Sequence, residues 1–291
     1  MPLGFAKSIL SKGAAPSVGG TVYDGYWHPN GSISGDTLAI VQWGDSTGTT
    51  APFSSVSDVT LSVWWRGFNY ANNEVANSQN DTPYMRYGWN PTDDGFQWQW
   101  PNSQQAGRLQ LLFKNGGYIY TDVSGGDFGA LDDGNWHHIY FVYDADNSGN
   151  SKIYVDGVSQ SIVHGANGVA NTSTVEIVSF QDITRNTTSV ETINQNYWDM
   201  AQFVMYDSVV DDVSKFYNSG FVNLGSDGTA SGLSQPPIYI YVDEAGALQQ
   251  GGSNSASVFT SALGAVSVTT VASTGSTDLS TNTSRSARDN S

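Results

Sequence analysis

Cysteine is absent from all 291 residues, so no disulfide, thiolate metal site or thiol nucleophile can be part of this protein. Folding in a reducing cytosol is the expectation that follows. Charge is also scarce. Only 13% of residues are charged, 11 basic against 27 acidic, for a formal net charge of −16. Such a field repels nucleic-acid phosphates and anionic membranes, so neither is an expected partner. It suits neutral glycans, divalent cations or a protein partner, and it serves solubility equally well. No apolar run approaches the roughly 20 residues of a membrane-spanning helix. The opening MPLGFAKSILSKGAAP lacks the uninterrupted apolar stretch of a signal peptide, so export by that route is not expected.

Aromatics and turn formers are abundant instead: 9 Trp, 15 Tyr, 12 Phe and 32 Gly. That balance favours many short strands over helices. The plainest local pattern runs over 131–157, LDDGNWHHIYFVYDADNSGNSKIYVDG. Trp136, Ile139, Phe141 and Tyr143 sit in one alternating strand; Ile153, Tyr154 and Val155 sit in the next. Alternation with a period of two predicts half-buried antiparallel strands. DADNSGN between them is made of turn residues, and Asp156-Gly157 sets a second turn. Further strands are predicted at 37–43, 59–67, 83–89, 95–100, 109–113, 118–122, 174–180 and 200–206, with one more in PPIYIYV. A short helix is predicted at about 211–218, with Val213, Phe216 and Tyr217 on its buried face and Asp211 and Asp212 at its N-terminus. Ten or so strands without βαβ alternation predict a two-sheet sandwich.

The order Gly-x-Trp-His-x-Ile, a variable turn, then Ile-Tyr-Val-Asp-Gly resembles the central hairpin of laminin-G-like domains, in the concanavalin A-like lectin/glucanase group. DVTLSVWWRG at 58–67 is similar to that family's early core strand, with Leu61, Val63 and Trp65 on one face. Residues 196–220 are similar to its final strand and closing element. The resemblance implies an all-β, two-sheet antiparallel jelly-roll sandwich over 21–223. A short N-terminal arm at 1–20 precedes it, and a C-terminal strand and extended assembly segment at 224–291 follow.

The group includes retaining glycosidases, which need two carboxylates about 5 Å apart and carry them as closely spaced glutamates on one strand. The only glutamates here are Glu74, Glu176, Glu191 and Glu244, none near another, so an enzyme of that type is not expected. His137 and His138 alternate across a strand and so point to opposite faces; a packed or hydrogen-bonded histidine is the expectation. Asp144, Asp146 and Ser148 resemble the start of a calcium loop, D-x-D-x-S-G. The twelfth position is Val155 rather than a glutamate, so a solvated hairpin turn is the competing reading. No cofactor motif is present, and calcium is the one candidate cation. For carbohydrate, the candidates are Trp89, Phe96, Trp98 and Trp100 as stacking rings, with Gln97 and Gln99 as hydroxyl partners. The same alternation suits a sandwich core.

The opening MPLGFAKSIL, the laminin-G-like middle and the PPIYIY tail together resemble the structural proteins of bacteriophage particles, as capsid decoration, head fibre or tail-associated protein, a setting that also suits a chain without catalytic carboxylates, export signal or cysteine. The resemblance implies synthesis in a host cytoplasm and residence in the virion. Partners would be other capsid or tail proteins, glycans, and copies of itself in a homo-oligomer such as a trimer. The alternative is a free carbohydrate-binding module or adhesin.

Overall fold

A computed structural model describes residues 26–29, 39–42, 53, 55–67, 82–87, 95–100, 108–113, 116–122, 131, 135–165, 167–168, 170–171, 177–179, 198–242, 248–254 and 266–269. Their strands, in chain order, are β1 (Tyr26–Pro29), β2 (Ala39–Gln42), β3 (Ser55–Val56), β4 (Asp58–Gly67), β5 (Thr82–Tyr87), β6 (Phe96–Trp100), β7 (Gln110–Phe113), β8 (Tyr118–Thr121) and β9 (His137–Asp144). They continue as β10 (Lys152–Val155), β11 (Val158–Ser159), β12 (Ile162–His164), β13 (Ala170–Asn171), β14 (Ile177–Ser179), β15 (Trp198–Tyr206), β16 (Ile238–Val242), β17 (Leu248–Gln250) and β18 (Val266–Thr269). Two antiparallel sheets make a jelly-roll sandwich. The nine-stranded sheet runs β11-β10-β9-β4-β15-β1-β18, with β16 and β17 beside the second half of β15. The seven-stranded sheet runs β12-β8-β7-β6-β5-β14-β2.

Every strand predicted from alternation has a counterpart. The sheet also continues past residue 223, because β16 pairs with β15 and β18 pairs with β1. The predicted helix near 211–218 is instead a single 3-10 turn at Val213–Lys215. Asp212 caps it by accepting the Ser214 N–H. Phe216 and Val213 pack into one cluster and Tyr217 into another, so the segment turns across the sheet rather than lying along it.

Between the sheets, Val59, Leu61, Val63 and Trp65 of β4 meet Ile139, Phe141 and Tyr143 of β9, and Phe96, Trp98, Leu111, Phe113 and Ile119 of the opposing sheet. Alternation alone predicts that the other face of β9 is wet. In the fold β9 is buried on both faces, for His138, Tyr140 and Val142 are covered as well. What covers them is an irregular stretch, 207–235. Its Val209, Val210, Val213, Phe216, Leu224 and Leu233 pack against Tyr140, Val142, Val204, Tyr206, Tyr239 and Tyr241.

An irregular segment over a sheet must have its backbone groups satisfied. Here side chains of the sheet do this. Tyr140 Oη donates to the Val210 carbonyl, Tyr206 Oη to Ser234 (2.8 Å), Tyr239 Oη to Gly225 (3.0 Å) and Thr60 Oγ1 to Ser208 (2.7 Å). The Val210 N–H in turn donates to Thr60 Oγ1. Burial pushes the Tyr206 phenol up to about 12 and the Tyr140 phenol higher still, so both remain donors at any ordinary pH. Gln202 adds a fifth anchor, Nε2 to the Val222 carbonyl at 2.9 Å. It sits at φ 48°, in a bulge between Ala201 and Val204, where β15 exchanges β1 for β16 as its neighbour.

Left-handed backbone costs a non-glycine residue about 1–2 kcal/mol, so Gln202 is held there by its side-chain bond. Gln202→Ala leaves the strain and strands a buried carbonyl, with an expected loss of about 2–3 kcal/mol. Gln202→Gly relieves the strain and is the less destabilised of the two. Denaturant midpoints decide this; an alanine variant as stable as wild type would remove the assigned role.

Candidate functional site

The two sheets differ in what lies on their outer faces. The nine-stranded sheet is roofed by 207–235. On the seven-stranded sheet no second hydrophobic cluster forms outside, among the described residues. Leu109, Leu111, Phe113, Ile119 and Thr121 point into the sandwich and are 0% exposed. By alternation Arg108, Gln110 and Leu112 of β7 and its approach, and Tyr118 and Tyr120 of β8, face out. The register sets Gln110 opposite Tyr120 and Leu112 opposite Tyr118.

These residues form a row. The Tyr118 and Tyr120 rings stack, with centroids 5.6 Å apart and planes at 16°. The Arg108 guanidinium sits 4.7 Å from the Tyr120 ring centroid, a cation–π distance. The Tyr118 ring tip lies against Gly165, where a Cβ would run into the ring, and the Gly165 N–H donates to the Tyr118 carbonyl (2.8 Å). Glycine at 165 is thus what lets Tyr118 recline toward β12. The row is half-buried, offering ring surface together with phenol hydroxyls and guanidinium N–H groups.

The sequence-predicted carbohydrate residues divide. Phe96 and Trp98 lie in the core, 0% and 1% exposed, against Phe113 (5.3 Å) and Phe141 (6.0 Å). Neither ring can meet a ligand, which corrects the expectation for these two residues. Gln97 and Gln99 stand in register with Leu112 and Gln110 of β7. Trp100 ends β6, and Trp89 lies outside the described residues. The outward aromatics come from YIYT in β8, which sequence reasoning passed over. Their signal was available, since Ile119 and Thr121 alternate with the two tyrosines.

The calcium-like turn is held by its own groups. Asp144 Oδ1 accepts the N–H groups of Asp146 (3.0 Å) and Asn147 (2.8 Å), and Oδ2 accepts from Asn150 Nδ2 (2.7 Å). Desolvation raises the Asp144 pKa, and these bonds outweigh it, leaving the carboxyl below its ordinary value. Asp146 and Ser148 are exposed, and residues 148–150 form a 3-10 turn. Among the described residues no three His, Asp or Glu side chains converge as metal ligands.

The histidines diverge as expected. His137 Nδ1 meets Asp156 Oδ2 at 2.7 Å, while Asp156 Oδ1 accepts the His138 N–H at 2.8 Å. Asp156 (φ 49°) and Gly157 (φ 72°) are the two left-handed residues of the tight turn joining β10 to β11. The carboxylate therefore ties that turn to the start of β9. His138 is fully buried between Trp64 and Tyr217, with Nε2 2.9 Å from Ser62 Oγ. Burial lowers its pKa from 6.5 to about 3 against the pull of Asp156, so the ring is neutral in the fold.

No protein-family model and no curated protein matches the sequence. Among solved structures, the chain is similar to a heptameric SAP-like pentraxin from Limulus polyphemus, at 12% identity and a TM-score of 0.44, over 81% of this chain and 98% of that one. It is also similar to domains LG4-5 of the mouse laminin alpha1 chain, at 18% identity and a TM-score of 0.36, over 68% of this chain and 46% of that one. The chain thus spans about half of that laminin fragment. The binding domain of botulinum neurotoxin serotype G is a third, at 16% identity and a TM-score of 0.39, over 67% and 45%. The class of fold is set by the two sheets themselves: an all-β, two-sheet antiparallel jelly-roll sandwich.

His138 generates a pH prediction. The unfolded chain takes up its imidazole proton near pH 6.5 and the fold only near 3, so the unfolded state binds the extra proton between them. Stability is expected to fall across that window as pH drops, by on the order of 4 kcal/mol from this group. His138→Gln should flatten the dependence of unfolding free energy on pH there. An equally steep variant would assign the slope to the carboxylates.

Proposed function

We propose that this chain is a non-enzymatic structural protein of a bacteriophage particle, in a decoration, head-fibre or tail-associated position. In this reading its lectin-like sandwich holds glycans on the outer face of the seven-stranded sheet. The row Arg108–Tyr120–Tyr118 carries the proposal. Sugar rings stack their C–H faces on aromatic surface and give their hydroxyls to amides, phenols and guanidinium groups. The particle role draws on the sequence pattern, and on the pairing of β1 with β18 residue for residue from Tyr26↔Thr269 to Pro29↔Val266. Tyr26 and Thr269, the outer rung of that ladder, thereby sit side by side at the edge of the sheet, the arrangement a tethered, projecting domain needs. Self-association, a trimer being one form, would cover remaining sheet edges. A free carbohydrate-binding module would use the same face, and the two readings part only on whether the chain is carried by a particle.

Glycan-array binding is expected, with at least about a tenfold loss of affinity in Tyr118→Ala and Tyr120→Ala. Gly165→Ala should lose binding too, because it displaces the Tyr118 ring while leaving the core intact. Phenols and guanidinium need no cation, so binding should survive chelation; loss in EDTA would place the site elsewhere. Co-sedimentation of the full chain with phage particles, and its loss on deleting 1–20 or 270–291, tests the particle role. A chain that binds glycans and never sediments with particles is the free module.

A further inference from the structure

We infer that Arg108 selects sugars that carry a carboxylate, as single acidic units in an otherwise neutral chain. The inference rests on the glycan reading of the seven-stranded face and names its ligand class. Arg108 is half-exposed, and its guanidinium is held over Tyr120. Among the described residues no Asp or Glu lies within ion-pair distance of it. Three cations whose side-chain surroundings are described are placed differently. Arg66 is buried at the Trp136 ring, Lys152 is paired with Asp211, and Lys215 lies in the roof of the other sheet. In a chain of net charge −16, an arginine with no carboxylate at ion-pair distance among the described residues, beside two half-buried tyrosines, is a local anion site.

The chemistry of the row fits a carboxylate. A guanidinium resting on a ring keeps its in-plane N–H groups free, and their fork matches the two carboxylate oxygens. The Tyr118 and Tyr120 hydroxyls bond to no protein atom among the described residues, and lie in line to take ring hydroxyls of the same sugar or its neighbour.

Charge density chooses between anionic glycans. At physiological salt the Debye length is about 8 Å. A carboxylate in contact with Arg108 feels that guanidinium fully and the remaining acidic groups weakly. A densely sulfated chain extends its charges along the acidic surface and is repelled.

The test titrates the full chain with matched pairs: lactose against sialyllactose, and xylotetraose against its glucuronic-acid-substituted form. A heparin hexasaccharide serves as the densely charged arm. The acidic member of at least one pair should bind about tenfold more tightly than its neutral partner. Arg108→Gln should abolish that preference, so that acidic and neutral members bind alike, while keeping the melting temperature, and Arg108→Lys should restore part of it. Equal binding of acidic and neutral members, or an unchanged preference in Arg108→Gln, overturns the inference and leaves the glycan reading standing. Tighter binding of heparin than of the singly charged sugars overturns the charge-density choice. If neutral and acidic sugars alike fail to bind, the glycan reading fails with it.

Discussion

The nine-stranded sheet depends on hydrogen bonds that run from its side chains to the carbonyls of the segment above it. Thr60, Tyr140, Gln202, Tyr206 and Tyr239 come from four different strands, and each bonds a backbone atom of 207–235. A strand with large side chains on both faces needs two covers. The opposing sheet is one, and the other is a stretch with little regular structure and hence few internal backbone bonds of its own. Phenols suit this task, since the ring fills the hydrophobic layer and the hydroxyl reaches past it.

That cover gives the two sheets different fates. The roofed sheet has an inner core and an outer aromatic layer, in which Trp64, His138, Tyr217 and Phe221 lie ring to ring and Trp136 packs in the same cluster. The opposing sheet carries its aromatics inward at β6 and outward at β8. Because the helix-like closing element sits on the first sheet, half-buried polar aromatic surface collects on the second. The location of that exposed aromatic surface is in this sense governed by the opposite side of the molecule.

Much of the fold was legible in the sequence because period-two alternation is a local property. The hairpin of Trp136, Ile139, Phe141 and Ile153 folds as read, and Leu61, Val63 and Trp65 share the inner face. What was illegible depended on partners distant in the chain. Nothing local tells that Tyr140 is dry, since its cover is Val210 and Phe216. Nothing local tells that β15 must break at Gln202 to exchange neighbours. Phe96 and Trp98 were read as candidate stacking rings for a related reason. Alternation divides a strand into two faces but does not say which is inward, and Phe96 and Trp98 of GFQWQW went to the core. YIYT drew less notice because its inward residue, Ile119, is a small apolar flanked by larger rings.

The pairing of β1 with β18 has a mechanical side. Tyr26 and Thr269 face each other at the end where the chain enters and leaves, and the ladder continues inward through Trp27, His28 and Pro29. Tension applied between the two flanks would open this ladder like a zipper, one rung at a time, rather than shearing all its bonds together. Tension borne by a single flank is different, because β1 is also bonded to β15 at Trp27↔Met200. The domain is therefore a sturdy load on one tether and a weak link between two, which makes its sheet edge a natural place to yield first.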